Sequence, residues 1–322
     1  MKAIQIQQTG GPEVLTYADI PVPTPKSGEV LVKVHASGVN FIDIYYREGR
    51  YKTALPFIDG QEGAGTVESV GPDVTGFSPG DRVAWCLVLG SYAEYAIVPA
   101  DRLVPVPAHL DLKRAAAVLL QGMTAHYLVH STFPLKSGDI ALIHAAAGGT
   151  GLLLTQMASD IGARVIATVS TEEKAALARE AGAADIILYT QVDFESEVKR
   201  LTRGHGVDVV YDSVGKTTFE KSLNTLRPRG MMVLFGGASG AVPPFDLIEL
   251  STKGSLYVTR PTLKHYILTS DELHARAGDV LRAVDAGKVK VRMEHTYPLS
   301  QAAQAQIDIA ARKTTGKLLL IP

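Results

Sequence analysis

The rhythm of apolar and polar positions changes twice along this chain of 322 residues. In the first hundred or so residues, apolar positions come in short runs. Gly65 to Val70 reads as an alternating strand, Val30 to His35 alternates less regularly, and Tyr95-Ala96-Ile97-Val98 follows. Alternation buries one face of a strand and wets the other. Turn signals at Gly10-Gly11-Pro12, Gly71-Pro72-Asp73, Ser78-Pro79-Gly80-Asp81 and Pro105-Val106-Pro107 separate the runs. Short strands between such breaks predict a compact, barrel-like β domain.

From Leu112 to about His130 the chain is rich in Ala and Leu and predicts a helix. Apolar strands then alternate with helical segments. Strands are expected at Ile140–Ala145, Arg164–Val169, Ile186–Leu188, Val207–Tyr211, Met231–Phe235 and Leu256–Val258, and helices at Gly151–Ile161 and Glu172–Ala181. Near-continuous apolar strands joined by helices imply a parallel sheet covered on both faces. Six such strands fit a doubly wound nucleotide-binding domain, so the fold class is α/β. The tail breaks the rhythm with amphipathic helices at Asp271–Asp285 and Gln301–Arg312 and a strand at Lys317–Ile321. Such a tail suits a return to the first domain, leaving the nucleotide domain as an insertion.

Composition narrows the classes. The hydrophobic share of 46% and charged share of 20% are those of a globular protein, and a length of this order suggests two domains. A net charge of -1 gives no overall attraction to nucleic acid or anionic lipid, and no basic run with interleaved aromatics appears. No apolar stretch reaches the roughly 18 residues that cross a bilayer, and Met1 to Ile6 turns polar too soon for a signal peptide. A cytoplasmic location is the default expectation. Cys86, the single cysteine, lies in the apolar run Val83 to Val88 and reads as core.

The strongest chemical signal is Ile143-His144-Ala145-Ala146-Ala147-Gly148-Gly149-Thr150-Gly151, placed between an expected strand and a helix. Gly148 and Gly151 match the second and third glycines of the dinucleotide fingerprint, with Ala146 in place of the first. The helix start then offers free N–H groups and partial positive charge to phosphates. Taken alone, the run fits equally well a small-residue turn that packs a helix on a sheet. The strand, helix and strand that follow decide for a dinucleotide site, with Ala147, Gly148, Gly149 and Thr150 at the cofactor. About 20 residues on, an NAD enzyme usually carries Asp or Glu for the ribose hydroxyl. Here the strand ends Val169-Ser170-Thr171, and Lys174 follows. Hydroxyls and a cation suit a 2′-phosphate, so NADPH is the expected cofactor.

These residues carry a family resemblance. Gly10 to Leu15, Ala36-Ser37-Gly38-Val39-Asn40-Phe41-Ile42-Asp43, Gly80 to Val83, Ala145 to Gly151 and Val209 to Gly215 resemble the medium-chain dehydrogenase/reductase superfamily. The chain is most similar to its quinone oxidoreductase, or ζ-crystallin, branch, where Gly254 to Pro261 is also typical. The resemblance spans essentially the whole chain. It implies a GroES-like substrate domain from residues 1–125 and 261–322 around a Rossmann domain at 126–260, and a homo-oligomer, a dimer first. It also implies that Asn40, Phe41, Asp43 and Tyr45 surround the nicotinamide and substrate, with Tyr51 nearby. Tyr127, Ser170, Lys174, Tyr189 and Val214 would follow the cofactor. Gly236, Ser239, Thr259, Arg260, Thr262 and Arg312 would complete the cleft.

Zinc alcohol dehydrogenases of the same superfamily use a Cys where Asn40 stands and a His where Gln61 precedes Glu62. A neutral amide is a poor zinc ligand, so no metal is expected. The histidines show no metal spacing and read as structural. What remains is hydride transfer to an acceptor that needs little activation, such as a quinone. Asn40, Tyr45 and Tyr51 are the catalytic candidates, the tyrosines because they stack on flat rings and donate hydrogen bonds. The alternatives are an NADPH-dependent enone or alkenal reductase, and an NADPH-binding crystallin-like or RNA-binding protein without significant turnover.

Overall fold

A computed structural model of the protein describes residues 1–322. The chain opens with strands β1 (Lys2–Ile6), β2 (Thr16–Asp19) and β3 (Glu29–Val39), then helix α1 (Phe41–Arg47). Strands β4 (Phe57–Ile58), β5 (Glu62–Val70), β6 (Arg82–Cys86), β7 (Tyr95–Pro99) and β8 (Val104–Pro105) follow, before helix α2 (Leu112–Tyr127). The alternating middle comprises β9 (Ile140–Ile143), α3 (Gly149–Ile161), β10 (Arg164–Val169), α4 (Glu172–Glu180), β11 (Asp185–Leu188), α5 (Phe194–Leu201) and β12 (Val207–Asp212). It continues through α6 (Phe219–Leu223), β13 (Leu226–Leu234), α7 (Ile248–Thr252) and β14 (Tyr257–Thr259). The tail is α8 (Ser270–Asp285), β15 (Met293–Pro298), α9 (Ala302–Ala310) and β16 (Lys317–Ile321).

Contacts divide the chain into two units, Met1–Met123 with Tyr266–Pro322, and Thr124–His265. These limits fall a few residues from those implied by the resemblance. In the first unit β3 is the hub. It pairs antiparallel with β5, β7 and β16, and the tail strand β16 thereby joins the sheet of the opening strands. Val30, Val32 and Val34 point from β3 into a core with Val67, Val83, Trp85, Val98 and Leu103. Period two along β3 produces that face. Cys86 is buried, as the apolar run around it predicts.

The second unit is a parallel sheet in the order β11-β10-β9-β12-β13-β14. After β9 the chain steps outward through β10 to β11, then crosses back to β12 on the other side of β9, so β9 lies at the topological switch. Its core joins Leu142, Ile166, Ile187, Val210 and Met232 of the strands to Phe194, Val198 and Phe219 of the helices. All six expected strands of this doubly wound sheet are present. Several boundaries move by a few residues. The helix expected to reach His130 ends at Tyr127, where Leu128–Thr132 widens into a π-type turn. The helix expected from Gly151 starts at Gly149, because Gly148 takes the extended cap conformation. Local order is reinforced by caps: Thr171 accepts the Lys174 N–H, Asp193 the Ser196 N–H, and Thr269 forms a capping box with Glu272. Each is worth about 1 kcal/mol. No helix is long and apolar enough to cross a membrane.

Candidate active site

In the nucleotide-binding unit, the candidate residues gather at the carboxyl ends of the parallel strands. After β9 the chain turns sharply, with Ala145 at φ 51°. The Ala146 N–H donates to Thr168 O of β10 (3.3 Å) and the His144 N–H to Tyr211 O of β12 (3.1 Å), so the turn is tied to both neighbouring strands. Helix α3 then starts so close to this turn that a Cβ on Gly151 would lie 2.3 Å from Ala145 O. Ala147 is buried, while Gly148, Gly149 and Thr150 are half-buried at the helix start. Unpaired N–H groups at such an end suit a pyrophosphate.

One strand over, β10 ends at Ser170. The Thr190 hydroxyl donates to Ser170 O (2.9 Å), and the Tyr189 N–H donates to Val169 O (3.2 Å), which joins the ends of β10 and β11. The Tyr189 side chain is 44% exposed. Lys174 occupies the first turn of α4, its N–H on the Thr171 hydroxyl. No carboxylate stands at the tip of β10. Glu172 and Glu173 are exposed on the first turn of α4.

Asp212, at the end of β12, is an organiser that sequence reading missed. It is fully buried, and its Oδ1 accepts the N–H groups of Val214 (2.6 Å) and Gly215 (3.0 Å). Its Oδ2 accepts the Thr218 hydroxyl (2.6 Å). The Asp-x-x-Gly spacing before a helix was the available signal. Ser239 docks on the same turn, donating from both its N–H and its hydroxyl to Val214 O at 2.8 Å. Gly236 is pressed against Ser213, whose carbonyl oxygen would lie 2.5 Å from an added Cβ. Arg260 follows β14 and donates to Leu234 O (2.9 Å), tying the ends of β13 and β14. Thr259 is half-buried and Thr262 exposed. Tyr127 lies away from these strand ends in sequence and is buried at the end of α2. His144 bridges Thr168 Oγ1 and Ser222 Oγ, each at 2.9 Å, and burial pushes its pKa down. It is a neutral internal strut.

In the GroES-like unit, Asn40 caps α1. The Asp43 carboxylate reaches back to the Asn40 N–H (2.8 Å) and also accepts the Tyr92 hydroxyl (2.8 Å). Asp43 is fully buried, its Oδ1 has no partner, and burial pushes its pKa well up. Asp59 is also a buried carboxylate, held by the Gln306 amide (2.8 Å), which in turn accepts from Arg47 (2.7 Å). Asp43 therefore supports the helix rather than presenting a free acid. Phe41 and Tyr45 are half-buried on α1. The Tyr51 ring, 43% exposed, meets Tyr45 edge-on at 5.6 Å and Tyr46 at 5.5 Å. Arg50 lies over the Tyr45 ring at 5.3 Å. The tyrosines thus form one aromatic cluster beside the cap. Arg312 is exposed after α9, with φ 57°.

Sequence reading also passed over the neighbours of Asn40. Its Oδ1 accepts from Lys317 Nζ (2.7 Å), and its Nδ2 donates to Gly38 O (3.0 Å) and Glu62 Oε2 (2.8 Å). Lys317 also contacts Glu62 Oε2 directly, and the other oxygen of Glu62 accepts the Leu120 N–H (2.6 Å).

Comparison with known proteins places these features. Residues 26–108 match the alcohol dehydrogenase GroES-like domain, and residues 149–281 match the zinc-binding dehydrogenase family. A quinone oxidoreductase of Pseudomonas aeruginosa is 46% identical over 100% of this chain and 99% of its own length. The chain belongs to the quinone oxidoreductase family. Within that family and its medium-chain dehydrogenase/reductase relatives, the Escherichia coli quinone oxidoreductase complexed with NADPH superposes with a TM-score of 0.97. It is 41% identical, with both chains fully covered. A 2-haloacrylate reductase of Burkholderia is 44% identical over 99% of this chain and 98% of its own length. The quinone oxidoreductase fold thus accounts for the GroES-like and Rossmann units, and the chain is an oxidoreductase of that type.

Proposed function

We propose that this protein reduces quinones with NADPH, without a metal. The observation that carries the cofactor is the end of β10, where Ser170 stands at a strand tip without a carboxylate and Lys174 follows in the first turn of α4, beside the exposed Glu172 and Glu173. Bound NADPH would supply the hydride. Ser170 and Lys174 would hold its 2′-phosphate, and the start of α3 its pyrophosphate. Tyr189 and the Asp212-braced turn at Val214 would line it, together with Gly236 and Ser239. Lys174→Ala is expected to weaken NADPH binding about 10- to 100-fold, the equivalent of roughly 1.5–3 kcal/mol for a charge-assisted contact. NADH binding should change little. Titration calorimetry with both nucleotides checks this, and equal losses would contradict the assignment.

The donor set argues against zinc. Asn40 and Gln61 are neutral amides, and Glu62, the carboxylate bonded to the Asn40 side chain, already has a side-chain cation in Lys317. A quinone's electron affinity replaces the Lewis acid that a simple ketone needs. The work left to the protein is alignment and exclusion of water. Tyr45 and Tyr51 supply aromatic faces for that alignment. Replacing both with Ala should lower kcat/KM for quinone at least about 10-fold, since aromatic stacking contributes roughly 0.5–1.5 kcal/mol per pair. NADPH affinity should stay near the wild-type value. Wild-type quinone kinetics in the double variant would remove both residues from the mechanism.

The Burkholderia relative supports a second reading, reduction of an alkene activated by a neighbouring carbonyl or carboxylate. Steady-state NADPH oxidation against quinones, enones and 2-haloacrylates separates the two. Quinone turnover well above the alkenes is expected, and the reverse ranking would transfer the assignment. The edge strand β14, with Tyr257 58% exposed, leaves one side of its backbone without a strand partner, which supports a homodimer.

A further inference from the structure

Lys317 and Glu62 form a buried ion pair, their side chains 1% and 0% exposed. Most other ion pairs in the molecule have at least one partner in water. Burying two charges is costly, and such a pair is a poor stabiliser compared with apolar packing, so its presence points to something it specifies. Three strand ends place it. Leu318 of β16 pairs with Val39 of β3, and Ser37 of β3 pairs with Gly63 of β5, so Lys317 and Glu62 each lie one residue beyond the last position paired to β3. Between them Gly38 leaves the needed space: a Cβ there would lie 2.5 Å from Glu62 Oε2 and 2.7 Å from Lys317 Cε.

The pair clamps one side chain. An ammonium has only donors, so it fixes which end of the Asn40 amide faces it. Oδ1 turns to Lys317 and Nδ2 turns to Glu62 and Gly38 O. Both amide hydrogens and the oxygen are thereby committed inside the protein. Asn40 is then an anchor and not a donor to substrate. Its main chain opens α1 through the bond to Asp43, and α1 carries Tyr45.

We propose that Lys317 is a positioning residue for the reaction: paired with Glu62, it fixes Asn40 and so sets the start of α1 and the aromatic cluster beside it. This rests on the quinone reductase reading given above. The remaining titratable side chains on which the Lys317 charge acts are Asp43 and Cys86, both buried.

The test compares Lys317→Met, Glu62→Gln and the double variant with the wild-type protein, using NADPH and a benzoquinone. Lys317→Met should lower kcat/KM for the quinone about tenfold or more, within the range that coupled neighbours show, while the NADPH dissociation constant stays within about twofold. Glu62→Gln should lower kcat/KM in the same direction. The double variant should lose no more than Lys317→Met alone, since both substitutions break the same clamp on Asn40. A merely structural role would lower quinone turnover and NADPH binding together, with the folded fraction.

Hydrogen exchange of the α1 amides gives a readout that needs no turnover. Exchange should quicken in Lys317→Met and in the double variant alike. If the wild-type protein fails to oxidise NADPH with the quinone, the reaction reading falls while α1 exchange still decides the positioning role. Should Lys317→Met fail to fold, Glu62→Gln and the double variant carry the same comparison. Wild-type kcat/KM for the quinone together with unchanged α1 exchange in the folded variants would overturn the proposal.

Discussion

Replacing Gly151 with alanine is expected to weaken NADPH binding about 100-fold and to lower the melting temperature. The added methyl carbon would sit 2.3 Å from Ala145 O, 2.8 Å from Ala146 Cα and 2.9 Å from the Ala146 carbonyl carbon. All three are main-chain atoms, so no side chain can swing away. The turn itself is held from both sides by the bonds of Ala146 to β10 and of His144 to β12, and Ala145 already sits at φ 51°. Relief must come from moving the start of α3. That movement displaces the N–H groups offered to the pyrophosphate and opens packing at Leu152 and Leu153, both buried. Overpacking of this kind costs about 1–3 kcal/mol and sometimes more, and each 1.4 kcal/mol is about tenfold in affinity. Calorimetric titration with NADPH and thermal unfolding check both arms. Wild-type binding by the variant would show that the close approach of α3 is not what forms the site.

The second large effect concerns pH. Asp59 is fully buried, its Oδ1 has no partner, and its Oδ2 has the Gln306 amide. Burial pushes its carboxyl up to about 7, against the pull of the Gly60 N–H, Gln306 and Arg47. Asp43 is raised for the same reason, with Asp59 adding to it, so the two titrate together. The sign follows from linkage. An unfolded aspartate ionises near pH 4, whereas the folded Asp59 keeps its proton until about pH 7. Between these values the folded state binds more protons, so stability is greatest below pH 4 as far as this group is concerned. It falls as pH rises to about 7 and is level above that. Asp59→Asn removes the ionisation and keeps an oxygen for Gln306. It should flatten that slope, shrinking the difference in unfolding free energy between pH 4 and pH 8 by about 2–4 kcal/mol. Urea unfolding across this range measures it. An unchanged slope would show that Asp59 ionises normally in the folded protein.

This cluster also shows where local reading stops. Asp59 and Gln306 are 247 positions apart, and Asn40 and Lys317 are 277 apart. Nothing in the composition near either residue announces its partner. Helix α1 is likewise illegible locally, because its seven residues are too few for a helical period to emerge, and its capping box begins with Asn40 inside the motif that carries the family resemblance. Strands β1, β2 and β6 are equally hard to read from the sequence. They are short, and what makes them strands is pairing with distant segments, as in Gly63 with Trp85.

By itself the sequence determined the alternation of strands and helices in the nucleotide-binding unit, the glycine turn after β9 and the absence of a carboxylate at the tip of β10. These are local facts: a strand buried on both faces must be apolar throughout, a turn under a helix start must be small, and charge at a strand tip is read directly. It also carried the motifs by which the family is known. Tertiary structure alone decided how the rest is held in place. It brought Asp212 under the Val214 turn, paired β16 with β3 and β15, and set Lys317 against Glu62 beside Asn40. The physical reason is that buried polar groups must find partners wherever the fold brings them, and sheet pairing joins residues with no regard for their distance along the chain.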